Sequence, residues 1–156
     1  MAVMARPEET LAALGLTLPA PFPPAADYVA CRRSGNLLYI SGHGPMRDGK
    51  VVYAGKVGAD LDIAAGARSA ELTMLNVLAS IKADLGELSR VTGFVRLSVL
   101  VNATADFDKH HLVADGASQL LTKLYGPAAA HARFAVGMIS LPFNIATEIE
   151  AVAEVS

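Results

Sequence analysis

The sequence predicts one α+β domain in which two helices cover a single face of a sheet. Three observations carry this. The 156 residues amount to about one domain, long enough to bury roughly 70% of the surface the unfolded chain exposes without metal or disulfide support. Two stretches repeat apolar residues at helical spacing. Several shorter stretches alternate apolar and polar residues, as half-buried strands do. Two helices among several strands are best accommodated by one sheet with both helices on the same face. The other face must then be covered by something else.

In chain order, Pro7 followed by Glu8 and Glu9 opens a short helix, because proline loses nothing at the first helical position and carboxylates favour the positive end. It is expected to stop near Gly15. The run PAPFPP (19–24) then reads as extended, since each proline disfavours helix in the residue before it. Residues 1–27 are thus read as a helical arm with a Pro-rich linker, and 28–156 as the main domain. Tyr28 to Arg33 and Leu37 to Ser41 flank the turn chemistry of Ser34-Gly35-Asn36 and form a hairpin. A short strand over Val51 to Tyr53 and a glycine-marked loop, GKVG, come next. Asp62 caps a long helix ending at Gly86, with Met74, Leu78, Ile81 and Leu85 as its apolar stripe. Val91 to Val101 is a strand with Val95, Leu97, Val99 and Val101 on one face and Arg96 and Ser98 on the other. Asp106 opens a second long helix that buries Val113, Ala117, Leu120, Leu121 and Leu124 and ends at Gly126-Pro127. Two last strands, His131 to Leu141 and Ile145 to Val155, are separated by Pro142-Phe143-Asn144.

Composition narrows the function classes. Thirteen basic and fifteen acidic residues give a net charge of −2, which supplies no basic field for nucleic acid. The single cysteine, Cys31, excludes a disulfide framework within the chain and any cysteine-clustered zinc site. No run approaches the length needed to span a bilayer, and the first residues do not read as a signal peptide. A cytoplasmic setting is expected. Only 18% of residues are charged while 53% are hydrophobic, low in charge for a lone domain, so an oligomer that hides part of the surface is expected.

Short motifs contribute little. There is no P-loop, no dinucleotide fingerprint and no HExxH. His110 and His111 are adjacent and point about 100° apart on a helix, a poor arrangement for one metal; they read as a solvated face. Cys31 stands beside Arg32 and Arg33, which could activate its thiol, although a lone cysteine is commonly a small buried hydrophobe. Arg133 lies on an otherwise apolar strand among small residues. It either receives a planar anion or pairs with a carboxylate from another element. Glu148, Glu150 and Glu154 share one strand parity. They form a solvated face, or one of them transfers protons. In a tight hairpin Arg133 and Glu148 would lie on the order of 17 Å apart, so they cooperate only if another strand intervenes or a second subunit completes the site.

Longer stretches carry more. SGNLLYISGHGP (34–45) after Tyr28, ADFD (105–108), and HAR (131–133) continuing through LP (141–142) into TEIEAVAEV (147–155) resemble the reactive intermediate deaminase (RidA) superfamily, also called the YjgF-like or L-PSP endoribonuclease family. The spacing from the arginine to Glu-Ile-Glu-Ala matches the family signature without a gap. The resemblance implies a chorismate mutase-like fold with a mixed sheet, assembled as a homotrimer with clefts between subunits. It also implies hydrolysis of enamine and imine acids such as 2-aminoacrylate to 2-keto acids and ammonia, with neither metal nor organic cofactor. By position, Arg133 would bind the substrate carboxylate and Glu148 would position or activate water. Tyr28 would line the pocket from a neighbouring subunit, with Ser41 and Gly42 shaping its floor. Three pocket positions depart from the family pattern: Phe134 replaces a serine, Ala135 a cysteine and His43 a glutamine. Asp115 is the nearest counterpart of an asparagine expected on the second long helix. Two other functions compete: a non-catalytic module that binds small carboxylates, and the ribonuclease or translation-inhibitor role ascribed to some relatives, which the net charge disfavours.

Overall fold

The computed structural model describes residues 6–156. Helix α1 (Pro7–Ala13) begins at the proline, and Gly15 follows in the left-handed region at φ +69°. Leu11 is buried in the core, and the Glu8 carboxylate accepts a hydrogen bond from the Leu88 N–H at 2.6 Å. The chain then runs without regular structure to the hairpin of β1 (Cys31–Ser34) and β2 (Leu37–His43), joined through Gly35 and Asn36. The first strand is shorter than expected, because residues 25–28 bend and leave Tyr28 ahead of it. The short strand expected at Val51 is instead half of a small hairpin, β3 (Met46–Arg47) with β4 (Lys50–Val51). Asp48 and Gly49, both at positive φ, supply its turn.

Helix α2 (Ile63–Leu85) is capped as expected: the Asp62 side chain accepts from the Ala65 N–H at 2.7 Å. Met74, Leu78, Ile81 and Leu85 are all buried. Strand β5 (Val91–Asn102) carries a register shift between Phe94 and Arg96. This bulge corrects the expected alternation. Phe94 takes the inward place and Val95 is exposed, while Leu97, Val99 and Val101 keep theirs. Helix α3 (His110–Tyr125) starts four residues after Asp106. Phe107 turns back through its N–H to the Thr104 carbonyl and sets its ring edge-on to His110, so residues 104–109 form a loop rather than a first helical turn. The five apolar positions expected on α3 are buried.

Strand β6 (Ala132–Met138) ends before Leu141, and β7 (Thr147–Val155) begins after Ile145. The five strands form one mixed sheet in the order β1-β2-β7-β5-β6. Only β5 and β6 are parallel, joined by the α3 crossover; the other pairs are antiparallel. Both long helices pack on one face, where Leu97, Val99, Leu120 and Ile149 are fully buried. On the opposite face Tyr39 (46% exposed), Phe134 (44%) and Val136 (41%) stand uncovered. No helix among the described residues is long and apolar enough to cross a membrane.

Candidate functional site

The register shift in β2 between Ile40 and His43 separates the roles of successive residues there. His43 turns toward the helices. Its Nδ1 lies 2.6 Å from the Ser41 carbonyl and its Nε2 2.7 Å from the Ser80 hydroxyl of α2. A carbonyl can only accept, so Nδ1 carries the proton and Nε2 accepts from Ser80. Burial lowers the pKa of this imidazole, although the Ser41 carbonyl opposes the shift; the ring is a neutral structural tie.

Gly42, one residue earlier, faces β7. A Cβ there would sit 2.4 Å from Glu148 Oε1, so the carboxyl occupies space that only glycine leaves open. Its backbone is fixed from behind by Thr147, whose buried hydroxyl bonds Ser69 (2.7 Å) and Thr73 (2.9 Å) of α2. The half-buried Glu148 side chain has no ion-pair or hydrogen-bond partner among the described residues, and desolvation raises its pKa above the ordinary carboxylate value. It therefore holds a proton more readily than a surface glutamate does.

Glu148 opens into a cavity of about 540 Å³ that Tyr28, Gly42 and His43 also line. The rest of the wall includes residues that sequence reasoning missed, among them Phe22 of the Pro-rich run, Met46, Phe143 and Asn76. Asn76 was the most legible of these, a polar residue inside the apolar helix α2. Its amide nitrogen donates to the Met46 and Leu72 carbonyls, both at 2.9 Å, leaving its buried Oδ1 unpaired. Ser41 lies apart from this cavity, in a shallow depression shared with Tyr28, its hydroxyl donating to the Val29 carbonyl at 2.7 Å.

Arg133 is elsewhere on the same chain. It sits on β6 level with Leu97, on the helix face. Its Nη1 donates to Asp115 at 2.9 Å and to the Ser118 hydroxyl at 3.0 Å, and Nη2 to the His111 carbonyl at 3.3 Å. Ser118 lies 2.9 Å from His131 Nε2, and His131 Nδ1 lies 2.5 Å from the Ala129 carbonyl, so the arginine ends an ordered polar chain. Of the two readings of this residue, the structure displays the carboxylate pair. Ala135 shares this face, partly buried against the core, whereas Phe134 points to the uncovered face.

Strand β5 does intervene between Arg133 and Glu148, as cooperation required. Arg133 is level with Leu97 and Glu148 with Leu100, three residues and two strand spacings apart, about 14 Å between backbones. The two side chains leave opposite faces of the sheet. One chain alone does not bring them together.

Two other candidates are resolved by packing. Cys31 is packed against the core, and burial, with the Asp84 charge nearby, pushes its thiol up to about 12. The flanking arginines do not activate it, because they point outward on an exposed strand. His110 packs against Gly137 and Phe107, away from His111 in its partnering.

The fold agrees with the comparisons. Residues 8–155 match the family described as "YjgF/chorismate mutase-like, putative endoribonuclease". The chain belongs to this family. The match begins inside α1, so any N-terminal extension beyond the family is minor. Protein TCP17 of Trypanosoma cruzi is 39% identical over 144 residues, covering 92% of this chain and 90% of that protein. Among solved structures, the protein Atu1372 of unknown function from Agrobacterium tumefaciens superposes with a TM-score of 0.91 at 45% identity, covering 96% of this chain and 92% of that one. A "putative endoribonuclease" from Shewanella oneidensis superposes at 0.93 and 34% identity, covering 96% and 99%. Both structures extend over nearly the whole of this member of the YjgF family, including most of the arm.

Proposed function

We propose that this YjgF-family protein hydrolyses reactive enamine and imine acids of the 2-aminoacrylate type to 2-keto acids and ammonia, in clefts between copies of a homotrimer. The observation that carries the reading is the unpartnered, half-buried Glu148 carboxyl facing a cavity behind Gly42. A carboxylate with raised proton affinity is suited to take a proton from water as the oxygen attacks the imine carbon. That proton passes to the nitrogen of the tetrahedral adduct; the adduct hydroxyl then gives up its own proton, which reaches the nitrogen through the same carboxyl as the C–N bond breaks, releasing ammonia and leaving the keto acid. Imines already hydrolyse in water, so holding substrate and water in register supplies much of the rate.

The cavity lining includes no lysine or arginine among the described residues, so the substrate carboxylate needs a cation from outside it. Arg133 of an adjacent copy is the cation we assign, and the uncovered apolar sheet face is the surface that brings that copy close. The test generates 2-aminoacrylate in situ with a serine dehydratase and follows keto-acid release. Glu148→Gln is expected to lower kcat by about 100-fold or more, and Arg133→Ala to raise KM with a smaller effect on kcat. No acceleration over buffer by the wild-type protein would end this reading.

A second reading keeps Arg133 as the anchor for a ligand carboxylate, which must displace Asp115 from it, with no chemistry at Glu148. A non-catalytic module for small carboxylates would show calorimetric binding dependent on Arg133 without turnover. The ribonuclease name carried by relatives is tested by RNA cleavage in nuclease-free preparations.

A further inference from the structure

The cavity is far larger than a three-carbon imine requires. At about 540 Å³ it falls in the range of about 300–1,000 Å³ typical of pockets that enclose drug-sized ligands. Tyr28, His43, Asn76 and Glu148 are its polar side chains, whereas Phe22, Met46, Phe143 and Ile145 present hydrocarbon. Glu148 is the one charged side chain in the lining among the described residues.

Two elements are held in place to make that apolar wall. The Pro-rich run supplies Phe22 and is anchored on both sides: ahead of it Leu11 is in the core and Arg47 Nη2 donates to the Thr17 carbonyl at 3.2 Å, and after it the Ser41 N–H donates to the Ala30 carbonyl at 2.9 Å. On the other side, Phe143 and Asn144 both adopt left-handed backbone, at φ +57° and +56°, a region that bulky residues avoid. The turn is fastened from outside. The Asn144 carbonyl accepts from the Gly55 N–H at 2.8 Å, and its side chain accepts from Asn102 Nδ2 at 3.2 Å. A strained residue kept by its surroundings points to a role at a site. Here the strain places an aromatic ring, 70% exposed, on the cavity wall instead of in the core.

Resting on the deaminase reading, we propose that the cavity selects imino acids with a bulky apolar side chain, aromatic or branched, over three-carbon imines. The substrate nitrogen and α-carbon lie at Glu148, the carboxylate faces the neighbouring copy, and the side chain fills the space between Phe22, Met46 and Phe143. Each methylene placed in such a pocket is worth about 10-fold or more in discrimination.

The experiment uses the full chain and imines released in situ by an L-amino-acid oxidase, with catalase present. Phenylalanine, leucine and alanine serve as precursors. The phenylalanine- or leucine-derived imine is expected to exceed the alanine-derived one in kcat/KM by at least about 10-fold, and Phe22→Ala and Phe143→Ala are each expected to move that ratio toward one. Thermal unfolding of both variants checks that they fold. A preference for the alanine-derived imine, or a ratio that neither substitution changes, would overturn the proposal. If no imine of any size is hydrolysed, the deaminase reading fails separately. Size selection is then read from calorimetry with phenylpyruvate and pyruvate: aromatic binding at least about 10-fold tighter upholds it, and equal or weaker binding sinks it.

Discussion

A Cβ on Gly42 would meet Glu148 Oε1 at 2.4 Å, and the obstructed atom is the far end of a flexible side chain. Gly42→Ala should therefore leave the fold intact, since the carboxyl can swing aside and alanine restricts the unfolded chain. Activity should suffer much more, because a displacement of about 1 Å can cost about 100-fold. The expected outcome is a large fall in kcat/KM with an unchanged denaturation midpoint. Glu148 also sets a pH signature. Its folded pKa is raised by desolvation, so between the unfolded value and the folded one the native state binds more protons than the unfolded state. Stability then falls as pH rises through that window. Glu148→Gln removes this penalty and should raise Tm near neutral pH, with the gain vanishing below pH 4.5, the ordinary value for the group. The acid limb of kcat/KM in the wild-type protein should likewise lie above that ordinary value.

At the scale of elements, the crossing of α2 and α3 depends on Gly116, where a Cβ would fall 2.0 Å from the Ala67 carbonyl oxygen. Backbone cannot yield as a side-chain tip does. Overpacking costs about 3 kcal/mol at the top of its usual range and helix propensity returns about 1, so Gly116→Ala should lose about 2 kcal/mol in denaturant unfolding. The elements themselves were largely legible, because periodicity survives wherever one face is buried. Met74 to Leu85 on α2 and Val113 to Leu124 on α3 are such cases. Legibility failed where a tertiary contact outweighed a local signal. Val95 loses its inward place to Phe94 at a bulge, and Asp106 loses the helix start because Phe107 packs on His110. Neither contact leaves a mark in the local sequence.

At the scale of the molecule, Arg133 and Glu148 leave opposite faces of one sheet, so a site that unites them draws on two chains. Arg133→Ala and Glu148→Gln should then complement one another. Refolded together from an equal mixture and assayed well below the wild-type KM, these two impaired proteins should recover about a quarter of wild-type activity, the share of interfaces at which both native residues meet in a ring of heterologous contacts. Each variant refolded alone should stay well below that level, and a site contained in one chain would give the mixture no gain over the two variants alone. The proposed assembly would also account for the low charge, and if it forms, a charged residue at Phe134 or Val136 on the uncovered face should reduce the particle to a monomer by light scattering. Glu148, Gly42 and Arg133 stood out in sequence because they lie in long gapless matches. The apolar wall did not, since Phe22 and Phe143 sit in loops whose course no periodicity describes. The strand order has one more consequence. The middle strand of the sheet, β7, is made after the four strands it sits among, and until it arrives the N-terminal hairpin has no neighbour in the sheet and the helices have only the β5–β6 pair to cover. Apolar surface on the hairpin and the helices must wait for that one strand. Completion of the sheet is thus deferred until β7 is made, with the long-range pairings that slow folding and the exposure that draws chaperones.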